Sequence, residues 1–291
     1  MQQHIKTVAN VLNRKQADFV PRGELFIGSD FLGHYYGGNA GFYAKQLRTA
    51  AQLLGLSLIG IDLNSERSLS LLSGGGYTDL DEYFTVGYIN GPFASLIHKH
   101  GFYNAILSTK KNPLLLINIA KNLLENINSI VRRARDNGLN AICVADDIAG
   151  NKGLFFSVSY FIEALCPIYN EIAGIIKENC MFAFFHSDGD MIKVIELLIR
   201  AQYDCIHPVD TQAGMNLDKL TKAFGQRVSF MGHIDIISWT EKHIKEEIRL
   251  AENTFQKGGL ILGSTCGISM KTVSDKLGAL YPLLEGKEKR P

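Results

Sequence analysis

The sequence predicts a single (β/α)8 barrel, a TIM barrel, preceded by a short N-terminal helix, and three observations lead to that fold. First, eight short runs rich in β-branched and aromatic residues alternate with longer stretches of helical period. Second, these runs are apolar almost throughout, as parallel strands buried on both faces are. Third, polar side chains follow the runs, and a barrel builds its active site at those strand ends. An open doubly wound sheet is the alternative that the same alternation allows.

The candidate strands extend over the whole chain, at residues 23–28, 56–62, 84–90, 140–146, 181–186, 203–209, 228–234 and 259–264. The segments between them place an apolar residue at every third or fourth position, and the longest ends at an Asn-Gly pair that favours a helix stop. Residues 64–81, which include three consecutive glycines, predict a mobile loop over the barrel mouth. Since no linker or repeat divides the sequence, we expect residues 1–291 to form one domain.

Composition and charge exclude several classes of protein. The 30 basic residues nearly balance the 29 acidic ones, so the surface has no field to gather a polyanion, and we expect no nucleic-acid partner. No apolar run reaches the roughly 18 to 20 residues that cross a bilayer, and the N-terminus lacks the apolar middle of a signal peptide. We therefore expect a soluble, cytoplasmic protein with no membrane partner.

The cysteines indicate reduced thiols rather than a cross-linked framework. There are 5, an odd number without CxxC spacing, which argues against both a disulfide framework and a zinc ribbon. Cys143 and Cys205 lie inside apolar runs and are predicted to be core residues. Cys266 differs, because it follows the last predicted strand.

Every predicted strand is followed by a residue that can hydrogen-bond, carry charge or bind a metal. In strand order the set is Asp30, Asp62, Asn90, Asp146 with Asp147, His186 with Asp188, His207 with Asp210, His233 with Asp235, and Cys266. Because adjacent side chains on a strand point to opposite faces, Asp146 and Asp147 cannot both face the barrel mouth. We expect Asp147 to face it and to orient a substrate or bound group, with capping of the loop at residues 150–153 as the alternative.

Several stretches resemble the uroporphyrinogen decarboxylase superfamily. They are Asp147 with the GLFFS run that follows, ALCPIYNEI, FHSDGDM, YDCIHPVDTQAGMNLDKLTKAFGQRVSFMGHID and GSTCGI. The resemblance covers about residues 8–285 and is strongest over residues 140–268. The superfamily holds the decarboxylase of porphyrin synthesis and the corrinoid-linked methyltransferases, and the opening segment VANVLNRKQADFVPRGEL is similar to the methyltransferase branch.

The decarboxylase branch matches the sequence less well. Asp62 stands where the decarboxylases hold the aspartate that binds pyrrole nitrogens. A porphyrinogen carries many carboxylates, however, and arginine is the side chain that pairs with a carboxylate through two hydrogen bonds. The strand-end set contains no Arg or Lys, and the stretch RGELFIGSDF, where the decarboxylases have an arginine-rich segment, offers only Arg22. A tetrapyrrole carboxy-lyase is therefore the alternative rather than the preferred function.

The methyltransferase branch implies a zinc site with a His-x-Cys pattern and a distant Cys. The matching residues here are His186, Asp188 and Cys266, which are expected to converge across the barrel mouth. Asp188 departs from the family pattern, although zinc accepts carboxylate oxygen. A ligand set with one carboxylate and one imidazole makes a harder ion that suits oxygen better than sulfur. Glu24, His207 or Asp235 could each supply a fourth ligand.

The resemblance thus implies a zinc-dependent methyltransferase that moves a methyl group between a small substrate and the corrinoid of a partner protein. The substrate is expected to be a methoxy or hydroxyl compound, or a thiol. The catalytic candidates are Asp147, His207 and Asp62, and the substrate-binding candidates are Glu24, Asn90, Asp210 and Asp235. The departure at Asp188 leaves open a third class, a non-catalytic sensor barrel that has lost its metal.

Overall fold

The computed structural model describes residues 3–36, 43–73, 75–270, 272 and 275–284. Eight parallel strands form one sheet in the order β1-β2-β3-β4-β7-β8-β9-β10. They are β1 (Gly23–Glu24), β2 (Leu58–Asp62), β3 (Phe84–Asn90), β4 (Ala141–Ala145), β7 (Phe182–His186), β8 (Cys205–His207), β9 (Ser229–Ile234) and β10 (Leu260–Ser264). A two-stranded antiparallel hairpin, β5 (Ala149–Gly150) with β6 (Gly153–Leu154), follows β4. Each sheet strand lies inside one of the eight runs that the sequence predicts.

The sheet curves back until its last strand reaches the first. Arg22 and Leu262 form a parallel bridge, and the Leu262 backbone N–H donates to the Pro21 carbonyl at 2.9 Å. Gly60 lets the neighbouring backbone approach, because a Cβ atom there would lie 1.8 Å from the Leu25 carbonyl oxygen. The predicted (β/α)8 barrel is confirmed, and the open doubly wound sheet is wrong.

The helices cover the outside of the barrel. They are α1 (Gln3–Leu12), α2 (Ser29–Tyr36), α3 (Tyr43–Leu54), α4 (Glu66–Ser73), α5 (Pro92–His100), α6 (Phe102–Lys111), α7 (Pro113–Asp136), α8 (Val158–Tyr160), α9 (Cys166–Glu178), α10 (Ile195–Arg200), α11 (Leu217–Phe224), α12 (Glu241–Thr254) and α13 (Asp275–Leu280). Gly138, just beyond α7, has a φ of 80°, which agrees with the helix stop that the Asn-Gly pair predicts. In the described part of the chain, no helix has the length and apolarity needed to cross a membrane.

The segment between β2 and β3 differs from its prediction. Instead of a mobile loop it contains α4 and a 3-10 turn at Thr78–Leu80. Leu72 and Leu80 are fully buried, so the segment packs onto the barrel. The sequence interpretation treated these leucines as part of a glycine-rich loop. Gly74, one of the three glycines, lies outside the described residues.

The N-terminal helix closes one end of the barrel. The buried face of α1, with Val8 and Val11, packs against the side chains that fill the barrel interior, including Phe184 and Met231. The backbone N–H of Gly259, at the start of β10, donates to the Val11 carbonyl at 3.1 Å. Because α1 covers the ends where strands begin, the open mouth lies at the carboxyl ends. Cys143 and Cys205 are buried in this interior, as predicted.

Candidate metal and substrate site

Two histidines from neighbouring strands meet at the barrel mouth. His186 ends β7 and His207 ends β8, and the two residues are paired in the parallel register. Their Nδ1 atoms lie 2.8 Å apart, and both side chains are buried. Because one hydrogen bond joins two ring nitrogens, one ring donates its proton and the other accepts it.

The surroundings of His207 decide which ring donates. Burial and the nearby His186 hold the pKa of His207 well below its ordinary value, so His207 is neutral. A hydrogen bond between the His207 ring and the Ser264 backbone favours the protonated form of the ring. A hydrogen bond has this effect when the ring N–H donates to a carbonyl oxygen. The Nδ1 atom of His207 is then left as an acceptor, and His186 donates from its own Nδ1. In this tautomer a neutral His186 has its lone pair on Nε2, where it can bind a cation, and without a cation a proton on Nε2 can instead be donated to a carboxylate.

Two carboxylates face the Nε2 atom of His186. The Nε2 atom of His186 lies 3.4 Å from Asp147 Oδ1 and 4.0 Å from Asp188 Oδ1. The Asp188 backbone N–H also donates to Asp147 Oδ1 at 3.0 Å. Within the described residues, Asp147, His186 and Asp188 form a group whose candidate ligand atoms all lie within 4.8 Å of one another. A nitrogen lone pair and two carboxylates repel one another in this position unless a cation or a proton joins them.

The ionisation of the two carboxyl groups differs. Burial alone would raise the pKa of Asp147, but the hydrogen bond and charge of His186 and the Asp188 backbone N–H together lower it. The pKa of Asp188 is raised by burial and by the charges of Asp147 and Asp210, which outweigh the influence of His186. Asp147 is therefore the carboxylate better prepared to bind a cation before one arrives.

Asp146 faces the opposite direction from Asp147. Its carboxylate accepts hydrogen bonds from the backbone N–H groups of Phe93 at 3.1 Å and Ala94 at 2.5 Å, and from the Tyr169 hydroxyl at 2.6 Å. It thus caps the first turn of α5, and burial raises its pKa to about 7. The alternation along β4 has placed Asp147 towards the mouth, as expected, and Asp146 in the helix layer.

Cys266 is not a member of this group. It follows β10, its side chain is exposed, and its Sγ atom is 3.5 Å from the Gly267 carbonyl oxygen. Partial burial and the charges of Glu24 and Asp235 raise the pKa of the thiol to about 11. Within the described residues, the three-member ligand group does not include Cys266, so its role as a metal ligand stays a prediction.

The sequence matches an established family over most of its length. The uroporphyrinogen decarboxylase (URO-D) family model matches residues 79–285. The chain belongs to the uroporphyrinogen decarboxylase (URO-D) family. Among curated proteins, none matches the sequence significantly.

Solved structures share the fold of this URO-D family chain at low sequence identity. A methyltransferase from Methanosarcina mazei superposes with a TM-score of 0.73 and 14% identity, covering 98% of this chain and 99% of that one. The YdhT protein from Bacillus subtilis gives a TM-score of 0.54 and 14% identity, with 98% and 89% covered. A family 2 AP endonuclease from Brucella melitensis gives 0.52 and 10%, with 91% and 99% covered. At these identities the likeness shows the fold.

Asp62 and Asn90, at the ends of β2 and β3, lie on one side of the mouth. Asp62 Oδ1 accepts hydrogen bonds from the backbone N–H and the side-chain amide of Asn64, both at 2.9 Å. Asn64 Oδ1 in turn accepts from the Asn90 backbone N–H at 2.6 Å. Burial, with a smaller contribution from the charge of Asp62, raises the pKa values of Tyr43 and Tyr88, so both phenols are neutral. A catalytic role for Asp62 and a substrate contact for Asn90 stay predictions.

Glu24 lies at the seam where the barrel closes. Its carboxylate is buried and accepts hydrogen bonds from the Ser264 backbone N–H at 2.7 Å, the Ser264 hydroxyl at 2.9 Å and the Tyr281 hydroxyl. Burial raises its pKa to about 7, although these hydrogen bonds act in the opposite direction. The structure therefore gives Glu24 a part in joining β1 to β10, and substrate binding by Glu24 stays a prediction.

The carboxylates of Asp210 and Asp235 organise the loops after β8 and β9. Asp210 accepts from the backbone N–H groups of Gly189 at 2.9 Å and Gln212 at 3.0 Å. Asp235 accepts from the Ser238 backbone N–H at 2.9 Å, the Ser238 hydroxyl and the Gln212 side-chain amide at 3.2 Å. Asp210 thereby holds the loop that carries Asp188. These hydrogen bonds do not test whether Asp210 and Asp235 contact substrate, so both substrate contacts stay predictions.

Phe26 is a site residue that the sequence interpretation missed. Its ring packs edge-on against His186 with centroids 4.7 Å apart, against His207 at 6.0 Å and against Tyr88 at 4.9 Å. The sequence interpretation searched for polar residues at strand ends, and Phe26 lies inside the apolar run GELFIG, so no signal in the sequence marked it. Phe26 and Tyr88 supply an apolar wall next to the histidine pair.

Proposed function

We propose that this protein is a zinc-dependent methyltransferase that moves a methyl group between a small oxygen compound and the corrinoid of a partner protein. One observation carries the proposal, namely the convergence of the His186 Nε2 atom with the carboxylates of Asp147 and Asp188, whose candidate ligand atoms all lie within 4.8 Å of one another. The fold shared with a methyltransferase from Methanosarcina mazei and the URO-D family match support it.

The residues at this site fit a zinc ion. One imidazole nitrogen and two carboxylate oxygens are acceptable zinc ligands, and three protein ligands leave a position open for substrate. Cys266 would add a thiolate only after losing a proton, which its raised pKa of about 11 opposes before metal arrives. When bound, zinc would polarise a substrate oxygen and the corrinoid cobalt would supply the nucleophile for the methyl group.

The protein's own residues orient and shield the reacting groups. His207 fixes the ring orientation and tautomer of His186 through the 2.8 Å hydrogen bond. Asp210 holds the Gly189 backbone next to Asp188. Phe26 packs over both imidazoles and excludes water from one side of the pair. Positioning of this kind lowers the barrier because the reactants lose little further freedom at the moment of reaction.

Metal analysis and a corrinoid assay test the proposal together. Wild-type protein should bind zinc, and the His186→Ala and Asp147→Asn variants should each hold about one equivalent less, whereas the exposed Asp136→Asn variant serves as the matched control. Methylation of a reduced corrinoid protein, followed by visible absorption with methanol, methoxy aromatics and thiols as donors, should depend on the same residues. Unchanged zinc content in His186→Ala, or methylation without His186, contradicts the proposal. A Cys266→Ala variant shows whether the thiol is a further ligand.

A tetrapyrrole carboxy-lyase is the second candidate, because the chain belongs to the URO-D family and because, by the sequence resemblance, Asp62 stands where the decarboxylases hold the pyrrole-binding aspartate. The mouth argues against it, since Asp147, Asp188 and Asp210 would repel a substrate with many carboxylates. Release of carbon dioxide from a porphyrinogen by wild-type protein, with loss of this release in Asp62→Asn, would favour the decarboxylase. The corrinoid assay distinguishes the two functions in the same preparation.

A further inference from the structure

A second cavity lies outside the barrel, among the outer helices. Its volume is about 470 Å³, and it lies between α11, α12 and the loop after β8. Its walls include Met215, Thr221, His233, Trp239, His243 and Glu247. No residue of the zinc group at the mouth contributes to these walls, so the cavity is separate from the site described above.

His233 reaches this cavity because β9 ends irregularly. Met231 points into the barrel interior, and the period of a strand would place His233 there too. Gly232 and His233 instead have φ values of 94° and 83°, which break the alternation. The His233 ring then packs on Trp239 with centroids 5.6 Å apart, outside the barrel. A left-handed conformation is costly for a residue with a side chain, and such strain is concentrated at functional positions.

The Nε2 atom of His233 is buried and has no hydrogen-bond partner among the described residues. Its side chain is 4% exposed, and Nε2 lies 3.7 Å from Glu247 Oε2 on α12. That separation is too long for a hydrogen bond. It is near the spacing of about 3.4 Å between two ligand atoms that share one tetrahedral zinc ion.

We propose that His233 and Glu247 bind a zinc-class divalent cation at the base of this cavity, and that His243 turns towards the cation as a third ligand. In the structure the candidate ligand atoms of these three residues do not all lie within 4.8 Å of one another, so the His243 side chain has to move when the cation binds. His243 precedes Glu247 by one helical turn on α12, so the two lie on the same face. His243 also lines the cavity and packs on Trp239 with ring centroids 4.4 Å apart.

The charges around the cavity favour a cation. No Lys or Arg lines the cavity, and the described contact of Glu247 with a basic group is the one with His233. Asp218, the other carboxylate in the wall, is paired with Lys222 at 2.7 Å. With His243 turned towards the cation, three protein ligands would leave one coordination position for water or a small oxygen or nitrogen ligand.

Cobalt(II) titration of the full chain tests this second site independently of the proposed function. The probe is cobalt(II) chloride followed by visible absorption, with a His186→Ala/Asp147→Ala variant as the background that lacks the mouth site. We expect that background to bind one equivalent through nitrogen and oxygen ligands. Adding Glu247→Gln or His233→Gln should weaken the remaining affinity at least tenfold. Adding Glu246→Gln, whose side chain is 61% exposed and pairs with Lys242, should leave it unchanged.

Two results would overturn the second site. One is a background variant that binds no cobalt, and the other is equal affinity in the Glu247→Gln and Glu246→Gln variants. Glu247 is partly exposed, and glutamine keeps its shape, so thermal unfolding should verify that this variant stays folded. If the His233→Gln variant unfolds, the Glu247→Gln variant alone decides whether the second site binds cobalt. Loss of corrinoid methylation in the His186 variant would leave this result unaffected, which separates the two proposals.

Discussion

His186 and His207 share a hydrogen bond between their Nδ1 atoms, 2.8 Å apart, across the ends of adjacent parallel strands. This relationship holds the Nε2 atom of His186 close to Asp147 and Asp188, where it would bind the proposed zinc ion. The zinc affinity of the site should therefore depend on His207, which contributes none of the three ligand atoms.

Replacing His207 by leucine should lower zinc affinity about 10- to 100-fold, because His186 loses the partner that fixes its tautomer and ring orientation. The His207→Gln variant should lose less zinc affinity than the leucine variant, since the glutamine amide oxygen can still accept a hydrogen bond from His186 Nδ1. Competition with a chelator of known affinity measures the change. His98→Gln, at an exposed position on α5, is the control, and equal affinity in all variants would contradict the tautomer assignment.

The neighbouring aspartates on β4 should separate stability from metal binding. Asp146→Ala removes the acceptor of two backbone N–H groups and the Tyr169 hydroxyl, so unfolding should become easier by about 2–4 kcal/mol. Asp147→Ala should change stability by less than about 1 kcal/mol without metal, because its side chain is 53% exposed. Urea unfolding of metal-free protein measures both variants. A larger loss in Asp147→Ala would show that the assignment of the two faces is wrong.

Glu24 should make the protein less stable as the pH rises. Its pKa is raised from 4.5 to about 7 in the folded state, so the native protein binds the proton more tightly than the unfolded chain does. Stability from this group is complete below about pH 4.5 and is lost as the pH rises to about 7, by at most about 3 kcal/mol. Glu24→Gln should remove that part of the slope between pH 5 and 8.

Glutamine at residue 24 fits the existing contacts, since its oxygen can accept from the Ser264 backbone N–H and its amide can donate to the Ser264 hydroxyl. Glu252→Gln provides the control, because Glu252 is 49% exposed and pairs with Arg22 on the surface. Denaturant unfolding at several pH values compares the slopes. If the stability of Glu24→Gln depends on pH as steeply as that of wild type and Glu252→Gln, the Glu24 carboxyl is not the group that binds this proton in the folded protein.

The sequence predicts the barrel well because each strand is signalled by local patterns. Apolar runs and helical spacing are local properties, and they located all eight strands and the stop after α7 at Gly138. The opposite orientations of Asp146 and Asp147 also follow from the period of a strand. These features depend on residues close together in the chain, so a single sequence contains the necessary information.

Other parts of the site depend on backbone conformation or on distant segments. His233 turns away from the mouth because two successive residues adopt positive φ, which the run VSFMGHI does not indicate. Tyr281 reaches Glu24 from 257 positions away, and no local pattern predicts that contact. The position of Cys266 depends on how the loop after β10 folds, which the ligand pattern of the family does not specify, and its role as a ligand stays a prediction.

Gly189 should prove essential for the position of Asp188. Its φ is 92°, and a Cβ atom there would lie 2.5 Å from the Ala149 carbonyl carbon, so Gly189→Ala must displace the backbone next to Asp188. Gly214→Ala is a matched control, since Gly214 has a φ of 82° but nothing within 4 Å of the added Cβ. Both variants should lose about 1 kcal/mol or more through backbone strain. Zinc affinity should fall in Gly189→Ala alone, and equal affinity in the two variants would show that Asp188 is not a ligand.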